Sequence, residues 1–356
     1  MDVAMERSGN APVRVSFVRR VFFGADGLRA GWSLLLFIAF AALMQSATLA
    51  VFKHLHRANP DELRHIARYP YQILITNGIP FVVIAIATIL MSRIEGRPIE
   101  AYGIGRTPGA GRQFLGGMFW GAAALSLPVL ALWRMHLLVF DGVLLSGGDG
   151  VRFGLEWMGA FLLVGLFEES SSRGFVQFTI ARGLAGPLRF TRAAPYANAI
   201  GFWIAAVWFS YSFGAGHSGN TYESRIGLIA AGVIAFVFCV SLWRTGSLWW
   251  AIGAHASWDW AQSFVFGVAD SGHNVAFHWM GSHPEGKTIL SGGLVGPEGS
   301  LLVFGAIAVL LIVVLSTLPN GGWPVAGSRI PRGEGLMDER IREALIEHEA
   351  GTTRAL

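Results

Sequence analysis

Apolar runs of about twenty residues recur along the whole chain, separated by short polar stretches. They fall near residues 31–52, 71–92, 114–139, 157–181, 197–216, 226–243, 247–267 and 300–318. A helix of roughly 20 apolar residues covers the hydrocarbon core of a bilayer, so the pattern predicts eight membrane-crossing helices. No run alternates with period two, which argues against a β-barrel. The predicted fold class is an all-α, polytopic transmembrane helical bundle of about eight spans.

The ends are polar. Residues 1–30 form an N-terminal arm with five Arg and no short apolar core followed by a cleavage site, so 31–52 is expected to be a retained first span. Residues 31–318 form the transmembrane domain, and 319–356 a tail. In the tail, MDERIREALIEHEA places Ile341, Leu345 and Ile346 on one side. That pattern fits a short amphipathic helix on the membrane surface or against a partner, and a solvated tail fits equally. The Gly-rich stretch 281–300 reads as a loop. No internal repeat supports a transporter built on inverted repeats. With the N-terminus inside, the inner segments carry 18 Lys and Arg against 7 outside, which predicts both termini on the cytoplasmic side. The 53–69 loop, with Lys53, Arg57, Arg64 and Arg68, runs against this locally.

Composition narrows the classes. Of the residues, 53% are hydrophobic and 14% charged, against about 25% charged in a soluble domain, and the mean hydropathy is +0.49. A disordered chain, a coiled coil and most soluble enzymes are excluded. The net charge of +4 comes from scattered Arg and not from a basic stripe, so no nucleic-acid partner is expected. A single cysteine, Cys239, excludes a disulfide framework and a cysteine metal cluster. Lys53 and Lys287 are the only lysines. That bias reads as a GC-rich genome, hence a bacterial inner-membrane protein.

The informative residues are charges within the apolar runs: Glu168, Glu169, Asp259, Arg134 and Arg173, with His255 and, at a helix end, His217. Each charge in hydrocarbon costs roughly 2.5–3.5 kcal/mol on insertion scales and marks a functional interior or a buried pair. Arg134, near a helix end, reads as snorkelling. Trp249, Trp250, Trp258 and Trp260 read as interfacial or packing residues. In LFEESSSRGF, Glu169 and Arg173 are four apart and share a helix face, while Glu168 is turned about 100° away. Phe213 and His217 are four apart, as are His255 and Asp259. Three helices thus offer one polar cluster each.

Such a cluster, converging on a small wet cavity, suits water activation. A carboxylate in an apolar pocket is a better general base near neutral pH than one in water. A His can orient the water, and a second His beside an Asp can donate to a developing oxyanion. The set Glu168, His217 and His255 also suits Zn²⁺ with one open position, although no HExxH is present.

The three motifs, EExxxRG at 168–174, FxxxH at 213–217 and HxxxD at 255–259, resemble those of the CPBP family. These are the CAAX-type and bacteriocin-processing intramembrane proteases, related to type II CAAX prenyl endopeptidases. The flanks RTGSLWWAIGAHASWDW and LSGGLVGPEGS resemble family segments too. The resemblance covers roughly 157–300, which it marks as the catalytic half. It implies an endopeptidase opening into a membrane cavity, with membrane lipid and a peptide or protein substrate as partners. Carried over by position, Glu168 is the base with His217 beside it, Glu169 and Arg173 are a supporting pair, and His255 with Asp259 stabilises the oxyanion. The family has been described both as metalloproteases and as metal-free glutamate proteases, so a divalent metal such as zinc stays open. Ser170, Ser171 and Ser172 stand where large apolar residues are usual.

Other readings remain at this point. Glu169–Arg173 reads as a scaffold device rather than direct chemistry, and Glu168 alone fits a neutral, hydrogen-bonded carboxyl equally well. The same Glu and His cluster fits a non-catalytic scaffold or a proton-coupled transporter. Depth is a difficulty, since Glu168 and His255 are mid-span while His217 closes its run. A tilted helix, or one broken at Gly214 and Gly216, is expected to reconcile them.

Overall fold

The computed structural model describes residues 16–24, 26–55, 69–324 and 346–347 of the 356-residue chain. Most of the 53–69 loop and of the amphipathic 337–350 segment lies outside the described residues. The elements run α1 (Phe17–Phe22), a small hairpin β1 (Phe23–Gly24) and β2 (Gly27–Leu28), α2 (Ala30–Leu55), α3 (Pro70–Glu95), α4 (Ala110–Arg134) and β3 (Leu138–Val143). They continue with α5 (Gly147–Arg173), α6 (Phe175–Leu188), α7 (Ala197–Gly216), α8 (Arg225–Thr245), α9 (Trp249–Trp260), β4 (Met280–Pro284), α10 (Thr288–Ser291) and α11 (Val303–Thr317).

Among the described residues, six helical segments are long and apolar enough to cross a membrane: Ala30–Thr48, Pro70–Glu95, Ala110–Arg134, Gly147–Leu188, Ala194–Gly219 and Arg225–Thr245. Two of the eight predicted spans fall short. The 247–267 run becomes α9 and one π-helical turn, Ala261–Val265, ended by Gly267 at φ 61°. The 300–318 run becomes the 15-residue α11, about 22 Å long against a core of ~30 Å. The 114–139 run ends at Arg134, and its last residues enter β3, which pairs antiparallel with β4. The expected 281–300 loop therefore holds most of a strand, the short α10 and two 3₁₀ turns.

Local signals set the helix ends. Pro70 opens α3, where its missing N–H costs nothing, and the Gln72 carboxamide accepts from Tyr69 N at 2.9 Å. Gly96, at φ 64°, closes it in the left-handed region. Ser224 caps α8 by accepting from Gly227 N at 3.0 Å.

Lipid-facing helices associate by close packing rather than by excluding water, which favours small residues at the contact. The pair Gly117-x-x-x-Gly121 on α4 does this against α9. A Cβ at Gly117 would lie 2.1 Å from the Trp250 carbonyl oxygen, and one at Gly121 would lie 2.1 Å from that of Ala254. That contact holds the helix carrying His255 and Asp259. Around it, α4, α8, α9 and α11 share one apolar core, with Leu125, Val129, Trp250 and Leu310 buried. A second core joins α2, α3, α6, α7 and part of α8.

Candidate active site

α5 carries the first motif in its last turns and then breaks. Gly174 has φ −78° and ψ −120°, and a Cβ there would lie 2.4 Å from the Ser170 carbonyl oxygen. Only glycine fits that turn, which is the physical content of the final residue in EExxxRG. The predicted 157–181 span is thus two helices.

Glu169 and Arg173 are both buried. Arg173 Nη1 donates to Glu169 Oε2 at 2.7 Å and to Ser172 Oγ at 3.1 Å, and its Nε donates to the Ala235 carbonyl at 3.3 Å. The guanidinium lies over the rings of Phe213, at 5.1 Å, and Phe238, at 5.5 Å. The other Glu169 oxygen, Oε1, accepts from His255 Nδ1 at 2.9 Å. Sequence spacing pairs Glu169 with Arg173. It does not reveal that the same carboxylate holds a histidine from α9.

That bond orients His255. An Arg-paired carboxylate only accepts, so Nδ1 carries the proton. Nε2 is then turned to the opposite side, 3.7 Å from Glu168 Oε2 and 3.6 Å from Asp259 Oδ2. The ring stacks on Phe238 at 5.8 Å and meets Phe213 edge-on at 6.1 Å. Glu168 is the open member of the set, with 28% of its side chain exposed.

His217 is the first residue after α7, which runs unbroken through Gly214 to Gly216. The expected broken helix is absent. Its Nδ1 donates to the Phe213 carbonyl at 2.8 Å, a backbone acceptor that the FxxxH spacing supplies and that neighbouring carboxylates do not. Nε2 is left as its second functional atom. Depth is reconciled by a cavity of about 520 Å³ that is lined by Glu168, His217, His255 and Asp259 together. Glu169 and Arg173 do not line it.

Several lining groups lie outside the catalytic candidates drawn from the motifs. Ser171 and Ser172 face the cavity, and both hydroxyls donate back to the Glu168 carbonyl, at 3.2 and 2.5 Å. Asn77 enters from α3, and Asn220 from the turn after α7. Asp270, Ser271, His273 and Glu298 enter from the segment between α9 and α11. Glu298 ties that segment to α9. Its Oε1 accepts from Trp258 Nε1 at 3.0 Å, and its Oε2 accepts from Ser271 N at 3.2 Å and Ser271 Oγ at 2.8 Å. Ser271 sits at φ 45°, a backbone state that few non-glycine residues adopt. The four tryptophans are packing residues: Trp250 and Trp258 are buried, and Trp249 and Trp260 donate to the carbonyls of Gly105 and Gly154 at 2.8 and 2.9 Å.

Among the described residues no group of three or more His, Cys, Asp or Glu is gathered so as to hold a metal ion. His255 Nε2 lies 3.7 Å from Glu168 Oε2 and 3.6 Å from Asp259 Oδ2, and His217 lines the same cavity.

Comparison with curated proteins and with solved structures returns no match. Residues 150–261 match the family model for type II CAAX prenyl endopeptidase, Rce1-like. The matched stretch contains all three motifs and ends before the segment that carries Asp270 and Glu298. With six helices long and apolar enough to cross a membrane, this chain is a multi-pass membrane protein that carries a Rce1-like domain of the CAAX protease family over residues 150–261.

Proposed function

We propose that the chain cleaves a peptide bond in a membrane-associated protein or peptide, with Glu168 as general base. The observation that carries this reading is the facing of Glu168 Oε2 and His255 Nε2, 3.7 Å apart, on one cavity. Water held between Glu168 and His217 Nε2 attacks the scissile carbonyl carbon. Glu168 takes the proton from that water and returns it to the leaving amine nitrogen. His255, with Nδ1–H committed to Glu169, meets the developing oxyanion with a proton on Nε2, and Asp259 holds the ring from the same side. Glu169 and Arg173 act behind this layer by fixing His255.

The test is comparative membrane proteomics of cells carrying wild type or Glu168→Gln. An uncleaved polypeptide that accumulates only with the variant is expected. Identical profiles would overturn the reading. The proposed mechanism uses no metal. Stoichiometric zinc in purified active protein, lost in His217→Ala and restoring activity when added back after chelation, would replace it with a metalloprotease mechanism. Both termini are placed on the cytoplasmic side. In a Cys239→Ala background, an impermeant thiol reagent applied to intact cells should label Glu285→Cys and not Ser328→Cys, and the reverse pattern inverts the topology.

A further inference from the structure

Two carboxamides line the catalytic cavity without a role in the chemistry above. Ile73 and Asn77 are one turn apart on α3, and Val164 and Glu168 are one turn apart on α5. All four line the cavity, and the two helices meet where Gly78 faces Leu163. Each helix therefore presents an apolar residue followed by one polar group. Asn77 Nδ2 makes only long bonds, 3.3 Å to the Ile73 carbonyl and 3.3 Å to Thr76 Oγ1, and its Oδ1 accepts nothing among the described residues. Asn220 lies three residues past His217. Its backbone N–H donates to the His217 carbonyl at 2.9 Å, and its carboxamide makes no hydrogen bond among the described residues. α5, which carries Glu168, packs against both α3 and α7.

An uncharged amide in an apolar helix is costly unless it finds a partner. An extended peptide has the complementary need, since every main-chain N–H and C=O taken from water requires a donor or acceptor. A carboxamide offers one of each. We infer that Asn77 and Asn220 hold the main chain of an extended peptide substrate across the face of Glu168, so that recognition reads backbone rather than side chains. This rests on the peptidase reading above. It also assigns a substrate-binding residue to α3, outside the stretch that matches the family.

The probe is a random decapeptide library bearing a benzophenone at one end and biotin at the other, photo-crosslinked to the full-length protein in lipid nanodiscs. A second library is methylated at the backbone nitrogens. Capture is measured in a Glu168→Gln background, so that cleavage does not part biotin from benzophenone, and this protein should capture the unmethylated library. Adding Asn77→Leu or Asn220→Leu should each lower capture roughly tenfold, the scale of one lost hydrogen bond in a poorly hydrated site, and adding both should lower it further. Glu168→Gln should prefer the unmethylated library, and that preference should shrink with either Leu substitution. A merely structural role would not move it. Asn77→Ser and Asn220→Ser, which are smaller and polar, replace any Leu variant that fails to fold. Undiminished capture by the Asn variants, an unchanged methylation preference, or no capture by Glu168→Gln overturns the inference. Cleavage of the library by wild type with unchanged capture in the variants sinks the inference and leaves the peptidase reading standing. Capture that depends on both Asn, with no cleavage by wild type, does the opposite.

Discussion

Two clusters of buried charge lie in this bundle, and they are built differently. At the ends of α3 and α6, Glu95 accepts from Ser33 Oγ at 2.5 Å, Arg97 Nε at 2.9 Å, Arg182 Nη2 at 3.4 Å and Tyr102 OH at 3.4 Å. Arg182 also donates to the Leu28 carbonyl at 2.8 Å, and Arg97 donates to the carbonyl of Asp26, whose carboxylate pairs with Arg189. Every oxygen of Glu95 is used, and the glutamate is buried. The candidate catalytic cluster begins the same way, with both oxygens of Glu169 committed to Arg173 and His255. It then leaves Glu168 on an open cavity. The closed cluster clamps the N-terminal hairpin, α2, α3 and α6 together. The open one uses a smaller clamp, one carboxylate holding an arginine and a histidine, to aim that histidine at a carboxylate that remains available. Buried charge alone therefore does not mark chemistry. What distinguishes the candidate site is a carboxylate left open beside a saturated pair.

The sharpest way to break this comparison is at the two glutamates. Glu168→Gln should lower cleavage by about 10²–10⁴-fold while leaving the thermal midpoint near that of wild type. A large loss of stability would place Glu168 among the clamps. Glu95→Gln should do the reverse. It leaves two buried guanidiniums uncompensated, at a cost of about 3–5 kcal/mol, so yield and thermal stability fall. Protein that does fold should keep its turnover per molecule. Arg173→Ala belongs to both classes and should lose stability on the same scale together with activity, because His255 loses the partner of its partner. A stable but inactive Arg173→Ala would make Arg173 a substrate-binding group.

Smaller effects separate the outer walls. Glu298→Gln keeps one acceptor oxygen and sets an amide NH2 where the other stood, so it cannot accept from both Trp258 Nε1 and Ser271. Losing at least one bond to a charged group costs about 1.5–3 kcal/mol. Thermal unfolding checks the loss, and a raised KM with unchanged kcat would show that the segment carrying Ser271 shapes the site. At the exposed β3–β4 ribbon, the hydrogen bond that His283 Nδ1–H donates to the Asp141 carboxylate holds the imidazole above its ordinary value. A raised histidine stabilises the fold fully below its unfolded value of about 6.5. That contribution disappears as pH rises through the folded value. Solvent screening keeps it small, so Asp141→Asn should flatten a slight pH dependence of the melting temperature and leave activity unchanged. An activity change would tie the ribbon to the site.

What could be read from the chain alone is what lies within one helix. The apolar runs, the Glu169–Arg173 pair and the shared face of His255 and Asp259 follow from length and from a four-residue spacing. A helix makes those contacts wherever it sits. The order of the motifs likewise pointed to the family whose domain spans 150–261. The tertiary structure decided everything that joins helices. Glu169 meets His255 across 86 residues, and Ser33 meets Glu95 across 62. Such contacts depend on how the helices cross, which is set by close approaches such as Gly117 and Gly121 against α9. The Gly174 break, the shortened last helices and the cavity that joins Glu168 to His217 arise from the same packing. Hydropathy and periodicity report which residues a helix can bury, and they carry no information about which neighbour it buries them against.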